Sequence, residues 1–115
     1  MFKRYIKLSN LYQVKKGWLE YENINSLVFC IIKAIRENEK VELDFSNVNY
    51  VKFSFIEDLI NGIVNKMIRP YYNFKWYKDD VINNLNLYIS FINTNNYLDY
   101  VISETYEEIE SRLKG

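Results

Sequence analysis

Hydrophobic positions along the chain change period several times, and each change marks an element. Between residues 24 and 37, Ile24, Leu27, Val28, Ile31, Ile32 and Ile35 recur at helical spacing and form one apolar stripe. Asn23 or Asn25 can cap the start of this helix, and Arg36 near its end complements the helix dipole. A second helix over 54–67 begins at Ser54. It carries Ile56, Leu59, Ile60, Ile63, Val64 and Met67 on its buried face, and Pro70 stops it. After the polar run Asn93-Thr94-Asn95-Asn96, a third helix over 97–113 places Leu98, Val101, Ile102, Thr105, Ile109 and Leu113 on one side.

Elsewhere the period is two. Residues 2–8 alternate as a strand with Phe2, Ile6 and Leu8 on one face. Ser9-Asn10 can turn the chain, and 11–20 can return as a second strand with Tyr12, Val14 and Trp18 on a common face. Val41, Leu43 and Phe45 mark a strand over 41–45, and Leu85, Leu87, Ile89 and Phe91 mark one over 85–91. Residues 71–83 read as a loop or short helix ending near Asn83-Asn84, with Phe74, Trp76 and Tyr77 as anchors. The resulting order, β-β-α-β-α-(loop or short helix)-β-α without linker or repeat, predicts a single α/β domain over 1–115. Its four strands would share one mixed sheet of four to five strands, with three to four helices packed on it.

Composition narrows the function classes. With 49% hydrophobic and 26% charged residues in 115, the chain has the make-up of an ordinary globular domain. Fifteen basic residues balance fifteen acidic ones, which argues against binding nucleic acid by simple phosphate neutralisation. The charges are uneven, however. Lys3, Arg4, Lys7, Lys15 and Lys16 precede the first acid at Glu20, while Glu104, Glu107, Glu108 and Glu110 crowd the other end. The basic stretch reads either as an edge strand guarded by lysines or as a surface for a polyanion. Eleven Tyr, seven Phe and two Trp are either a compositional bias shared with the plentiful Asn, Lys and Ile, or a binding surface.

Candidate chemistry is sparse. The lone Cys30 leaves no disulfide or thiol cluster and lies beside the apolar stripe of 24–37, as a core filler does. There is no histidine, so the commonest metal ligand and the commonest general base are both missing. No Gly-rich phosphate loop or nucleophile elbow occurs. Asp44, Glu57 and Asp58 are a conceivable divalent-cation set, although Glu57 and Asp58 also suit the first turn of a helix. The expectation is a non-enzymatic chain without cofactor or metal. No apolar run approaches the ~20 residues of a membrane span, and the amino-terminal stretch lacks the apolar core of a signal peptide, so the cytosol is the expected location.

The segments Val41-Glu42-Leu43-Asp44-Phe45-Ser46-Asn47-Val48 and Phe53-Ser54-Phe55-Ile56-Glu57-Asp58-Leu59-Ile60 carry a family resemblance. A strand ends in Asp-Phe, a small polar turn and a Val follow, and Ser-Phe opens an acidic, then apolar, helix. The pattern resembles the STAS-like proteins, relatives of the sulfate-transporter and anti-sigma-factor-antagonist domain. It extends more weakly from 24–37 to the last helix, about four fifths of the chain. The resemblance implies a domain that docks on a partner, such as an ATPase-type kinase or another regulator. It also implies that Ser54 matches the serine which the partner kinase phosphorylates in antagonists. The antagonists resemble Asp-Ser-Ser-Gly at that point, whereas this chain reads Lys52-Phe53-Ser54-Phe55.

Each candidate residue has a structural reading beside the functional one. Ser54-Phe55-Ile56-Glu57 is a Ser-x-x-Glu capping box. Asp44 can bond backbone donors in the Ser46-Asn47 turn, or serve as a functional acid at the carboxyl end of a strand. The rim of Asp44, Ser46, Asn47, Lys52, Phe53 and Ser54 is the expected partner-binding surface, with Phe53 either an exposed anchor or packed under the helix start. Two functions remain open. One is a regulatory interaction domain. The other is a small inhibitor encoded by a phage or mobile element that occludes a host or defence protein.

Overall fold

The computed structural model describes residues 2–68 and 76–115. Expectations that fall on 69–75, among them the stop at Pro70 and the anchor at Phe74, lie outside the described residues. Along the chain the elements are β1 (Lys3–Lys7), α1 (Leu8–Leu11), β2 (Gln13–Lys15), β3 (Trp18–Glu20), α2 (Asn25–Arg36), β4 (Lys40–Asp44), α3 (Phe53–Met67), a 3-10 turn (Lys78–Asp80), α4 (Val81–Tyr88), β5 (Ile89–Ile92) and α5 (Asn96–Lys114).

The class is α/β, as the alternation of periods implies, but the strands do not share one sheet. β1, β4 and β5 form a three-stranded parallel sheet in the order β1-β4-β5, and β2 and β3 form a separate antiparallel ribbon. The long strand expected over 11–20 is therefore replaced by a tight hairpin. Lys15 pairs with Trp18, and the two residues between them, Lys16 and Gly17, have φ of 52° and 82°. Positive φ at both positions is the signature of the type I′ turn, whose twist matches that of the flanking strands. β1 has no hairpin partner at all. Its neighbour is β4, reached through α2, since parallel strands need a crossover connection rather than a tight turn.

The other correction lies before β5. The alternation of 85–91 predicts a strand, yet residues up to Tyr88 are helical and only Ile89–Ile92 extend. Val81, Leu85 and Tyr88 also stand at i, i+4 and i+7, and the first two are fully buried. Both periods run through the same letters, and burial of Val81 decides for the helix. Of the anchors expected nearby, Trp76 is buried, donates its backbone N–H to the Met67 carbonyl at 2.8 Å and stacks its ring on Tyr88, whereas Tyr77 is exposed.

The three long helices form where their stripes predict. α2 and α3 pack closely because α3 offers Gly62, where a Cβ would come within 3.0 Å of Val28. α2 ends in a Schellman motif: Asn38 takes φ 61°, its N–H meets Ile35 O, and the Glu39 N–H meets Ala34 O. α5 is capped by Asn95, whose side chain accepts from the Leu98 N–H at 2.8 Å. One buried apolar cluster joins all of these elements, from Ile6 and Leu8 through Val41, Leu43 and Phe45 to Ile109. Register puts Ile6, Leu43 and Phe91 on the sheet face beneath the helices. Lys3, Tyr5, Glu42 and Ser90 lie on the opposite face, where Lys3, Tyr5 and Ser90 are exposed and Glu42 is half-buried. No helix among the described residues is long and apolar enough to cross a membrane.

Candidate functional site

At the carboxyl end of β4, the middle strand, Asp44 is 3% exposed. Its Oδ1 accepts from the Ser46 N–H at 2.8 Å, the Ser46 hydroxyl at 2.6 Å and the Asn93 side-chain amide at 2.8 Å, and its Oδ2 accepts from the Tyr5 hydroxyl. These donors, led by Ser46 and followed by Tyr5 and Asn93, hold the carboxyl well below the usual carboxylate range. The expected bond from Asp44 to the Ser46 turn is present. The carboxylate is filled from within the fold, by donors reaching it from all three strands or the loops they feed. Among the described residues, no cluster of three ligand-type side chains could hold a metal ion.

Beyond Asp44 the chain turns sharply. The Val48 N–H returns to the Phe45 carbonyl, and Asn47 takes φ 68°, the conformation a type II turn demands at its third position. The β2–β3 hairpin docks on the following residues. The Gly17 carbonyl accepts from both Asn49 N–H (2.7 Å) and Tyr50 N–H (2.9 Å), and the Leu19 N–H donates to the Tyr50 carbonyl. Docking brings Trp18 onto Tyr50, stacked with centroids 5.0 Å apart, and Tyr97 meets Tyr50 edge-on at 5.6 Å. Trp18 and Tyr50 nevertheless remain 44% and 41% exposed.

The hairpin also corrects the expected common face of Tyr12, Val14 and Trp18. A two-residue turn pairs Lys15 with Trp18, so Val14 shares its side with buried Leu19 while Trp18 sits with Lys15. Trp18 is thus the surface residue that sequence reasoning misplaced. The signal was Gly17 standing between Gln13-Val14-Lys15 and Trp18-Leu19-Glu20.

The start of α3 differs from the capping box. Lys52 is the N-cap residue, Phe53 opens the helix, and no side chain caps it. Ser54 lies inside the first turn, too far along to cap. Its hydroxyl shares a 2.9 Å hydrogen bond with the Tyr21 hydroxyl instead. Tyr21 in turn packs edge-on against Phe55 and Tyr12.

The rim expected from sequence therefore divides into three. Buried Asp44 and half-buried Ser46 join a network with exposed Asn93, and Asn47 is exposed at the turn. Lys52 faces a cleft of about 710 Å³ that is also lined by Tyr12, Trp18, Leu19, Glu20 and Tyr21. Phe53, 46% exposed, points the other way into a groove shared with Glu104, Glu107 and Glu108 of α5.

Neither a protein-family model, nor a curated protein, nor a solved structure matches the chain. The geometry alone therefore carries the functional argument, and its most distinctive part is an exposed pair of stacked aromatic rings held in place by backbone hydrogen bonds.

Proposed function

We propose that the chain is a non-catalytic interaction domain that docks on a partner protein through the stacked Trp18–Tyr50 pair and the adjoining cleft. Large exposed aromatic rings on a rigid base lose little freedom on binding and are typical anchors of protein interfaces. The observation that carries the reading is the exposure of both rings despite their fixed stacking. Lys52, Ser54 and Tyr21 border the same side, and Asn47 sits on the supporting loop.

The STAS-like resemblance belongs to this reading. It makes the partner an ATPase-type kinase or another regulator, and it makes Ser54 the position such a kinase modifies. The exposed Ser54 hydroxyl supports this, since it carries no capping duty and lies in the first turn of a helix, where free N–H groups favour negative charge.

The test is capture of partners from the native host by wild type, by Trp18→Ala and Tyr50→Ala, and by Phe29→Ala on the far side of α2 as a control. The expected result is loss of the same partner in the first two variants and its retention in the third. Retention by all three folded variants would overturn the proposal.

A further inference from the structure

β1 lies at one edge of the sheet, with a groove along its free side. The Phe2 carbonyl accepts from the Lys40 N–H at 2.7 Å. By strand alternation, Phe2, Arg4 and Ile6 turn their backbone groups to β4, while Lys3, Tyr5 and Lys7 turn theirs outward. The Lys7 carbonyl is taken by the first turn of α1. The N–H and C=O groups of Lys3 and Tyr5, and the N–H of Lys7, meet no backbone partner among the described residues. Beside them runs a groove of about 520 Å³ between the strand edge and the first turns of α2. Ile6, Leu27 and Cys30 contribute its apolar part, and Asn23 and Ser26 lie on the helix side.

We propose that this edge accepts an extended, acidic segment of a partner protein as an added strand. An unpaired strand edge facing a helix supplies a ladder of donors and acceptors for the incoming backbone, and the groove supplies a seat for alternate side chains. Charge selects the occupant. Among the described residues Lys7 is the one charged residue that lines the groove; Lys3, which also lies 3.8 Å from Glu42, and Lys7 stand on the same sheet face either side of Tyr5. A strand laid along β1 places every second side chain beside these lysines and the others against Ile6 and Leu27. The segment recognised therefore alternates acidic with apolar residues. A second copy of the chain is the poorer occupant, because antiparallel pairing about Tyr5 sets Lys3 against the Lys7 of the other copy. The lysines that guard the edge against its own kind are the groups that attract an acidic strand. The inference does not depend on the Trp18–Tyr50 surface.

The experiment pans a displayed library of random peptides against the intact chain, then follows the enriched peptides by fluorescence anisotropy and amide hydrogen exchange. The expected outcome is enrichment of alternating acidic and apolar residues, with new protection at the amides of Lys3, Tyr5 and Lys7. Lys7→Glu should weaken binding by about tenfold or more, and Trp18→Ala should leave it unchanged. Lys3→Pro, which removes an outward amide at the start of the strand, should weaken binding with the circular dichroism spectrum preserved. Should that variant fail to fold, methylating alternate amides of the peptide makes the same test from the other side. Absence of acidic residues from the enriched peptides, unprotected β1 amides, or full affinity of the methylated peptide would each overturn the proposal.

Discussion

Asp44 shows how much one buried side chain can organise. Its carboxylate gathers Tyr5 from β1, Ser46 from the turn after β4 and Asn93 from the end of β5, so a single acid ties the ends of the parallel strands together. Because its carboxyl is held below the ordinary range, its contribution is complete above the unfolded-state value and is lost as pH falls toward the folded-state one. Urea unfolding should therefore show stability declining once pH drops below about 4. Asp44→Ala should lower stability at neutral pH by about 2–3 kcal/mol, since it removes the acceptor of four donor groups on three residues, and should flatten that acid dependence. Ser54 and Asn95 make a contrasting pair. Ser54→Ala removes only an exposed hydrogen bond to Tyr21 and should cost less than about 0.5 kcal/mol. Asn95→Ala removes a true cap and should cost about 1 kcal/mol in the same urea unfolding measurement.

Among the elements, the small hairpin has an influence out of proportion to its length. Gly17 sits at φ 82°, and a Cβ there would come within 2.8 Å of the Asn49 side-chain amide. Gly17→Ala should therefore strain the turn and push the hairpin off the loop it docks on. We expect a loss of about 1–2 kcal/mol and a change in near-ultraviolet circular dichroism as Trp18 leaves Tyr50. The hairpin also marks where the sequence ceased to be legible. The long helices announce themselves because a stripe repeated over many residues outvotes any single exception, and the strand at 41–45 is a short apolar alternation bounded by polar turns. Three-residue strands have no such redundancy, so 11–20 reads equally well as one strand or as two. The segment 81–88 satisfies both periods, and only tertiary burial of Val81 separates them. Within the candidate site, the turn chemistry of Asp44 was visible because Asp, Ser and Asn are neighbours in sequence. The contributions of Tyr5 and Asn93 were not visible, because they depend on which strands lie side by side. The Ser54 box failed for a local reason: the helix begins two residues earlier than its capping pattern requires, with Lys52 rather than Ser54 as the N-cap.

Among the described residues the helices lie over one face of the parallel sheet, and the other face exposes Lys3, Tyr5 and Ser90, whereas parallel sheets are usually clothed on both sides. The middle strand draws its neighbours from distant parts of the chain: Lys40 meets Lys3, and Val41 meets Ile89. A polypeptide emerging stepwise from its amino terminus must hold β1 without a partner until β4 appears. It must then hold β4 half-paired until Ile89–Ile92 follows. Until β5 and α5 follow, the apolar stripes of α2 and α3 can cover one another but lack the rest of the core, and surface left in water at that stage is what chaperones hold. Release should be followed by closure in milliseconds to seconds, the pace of non-local strand pairing rather than of helix formation.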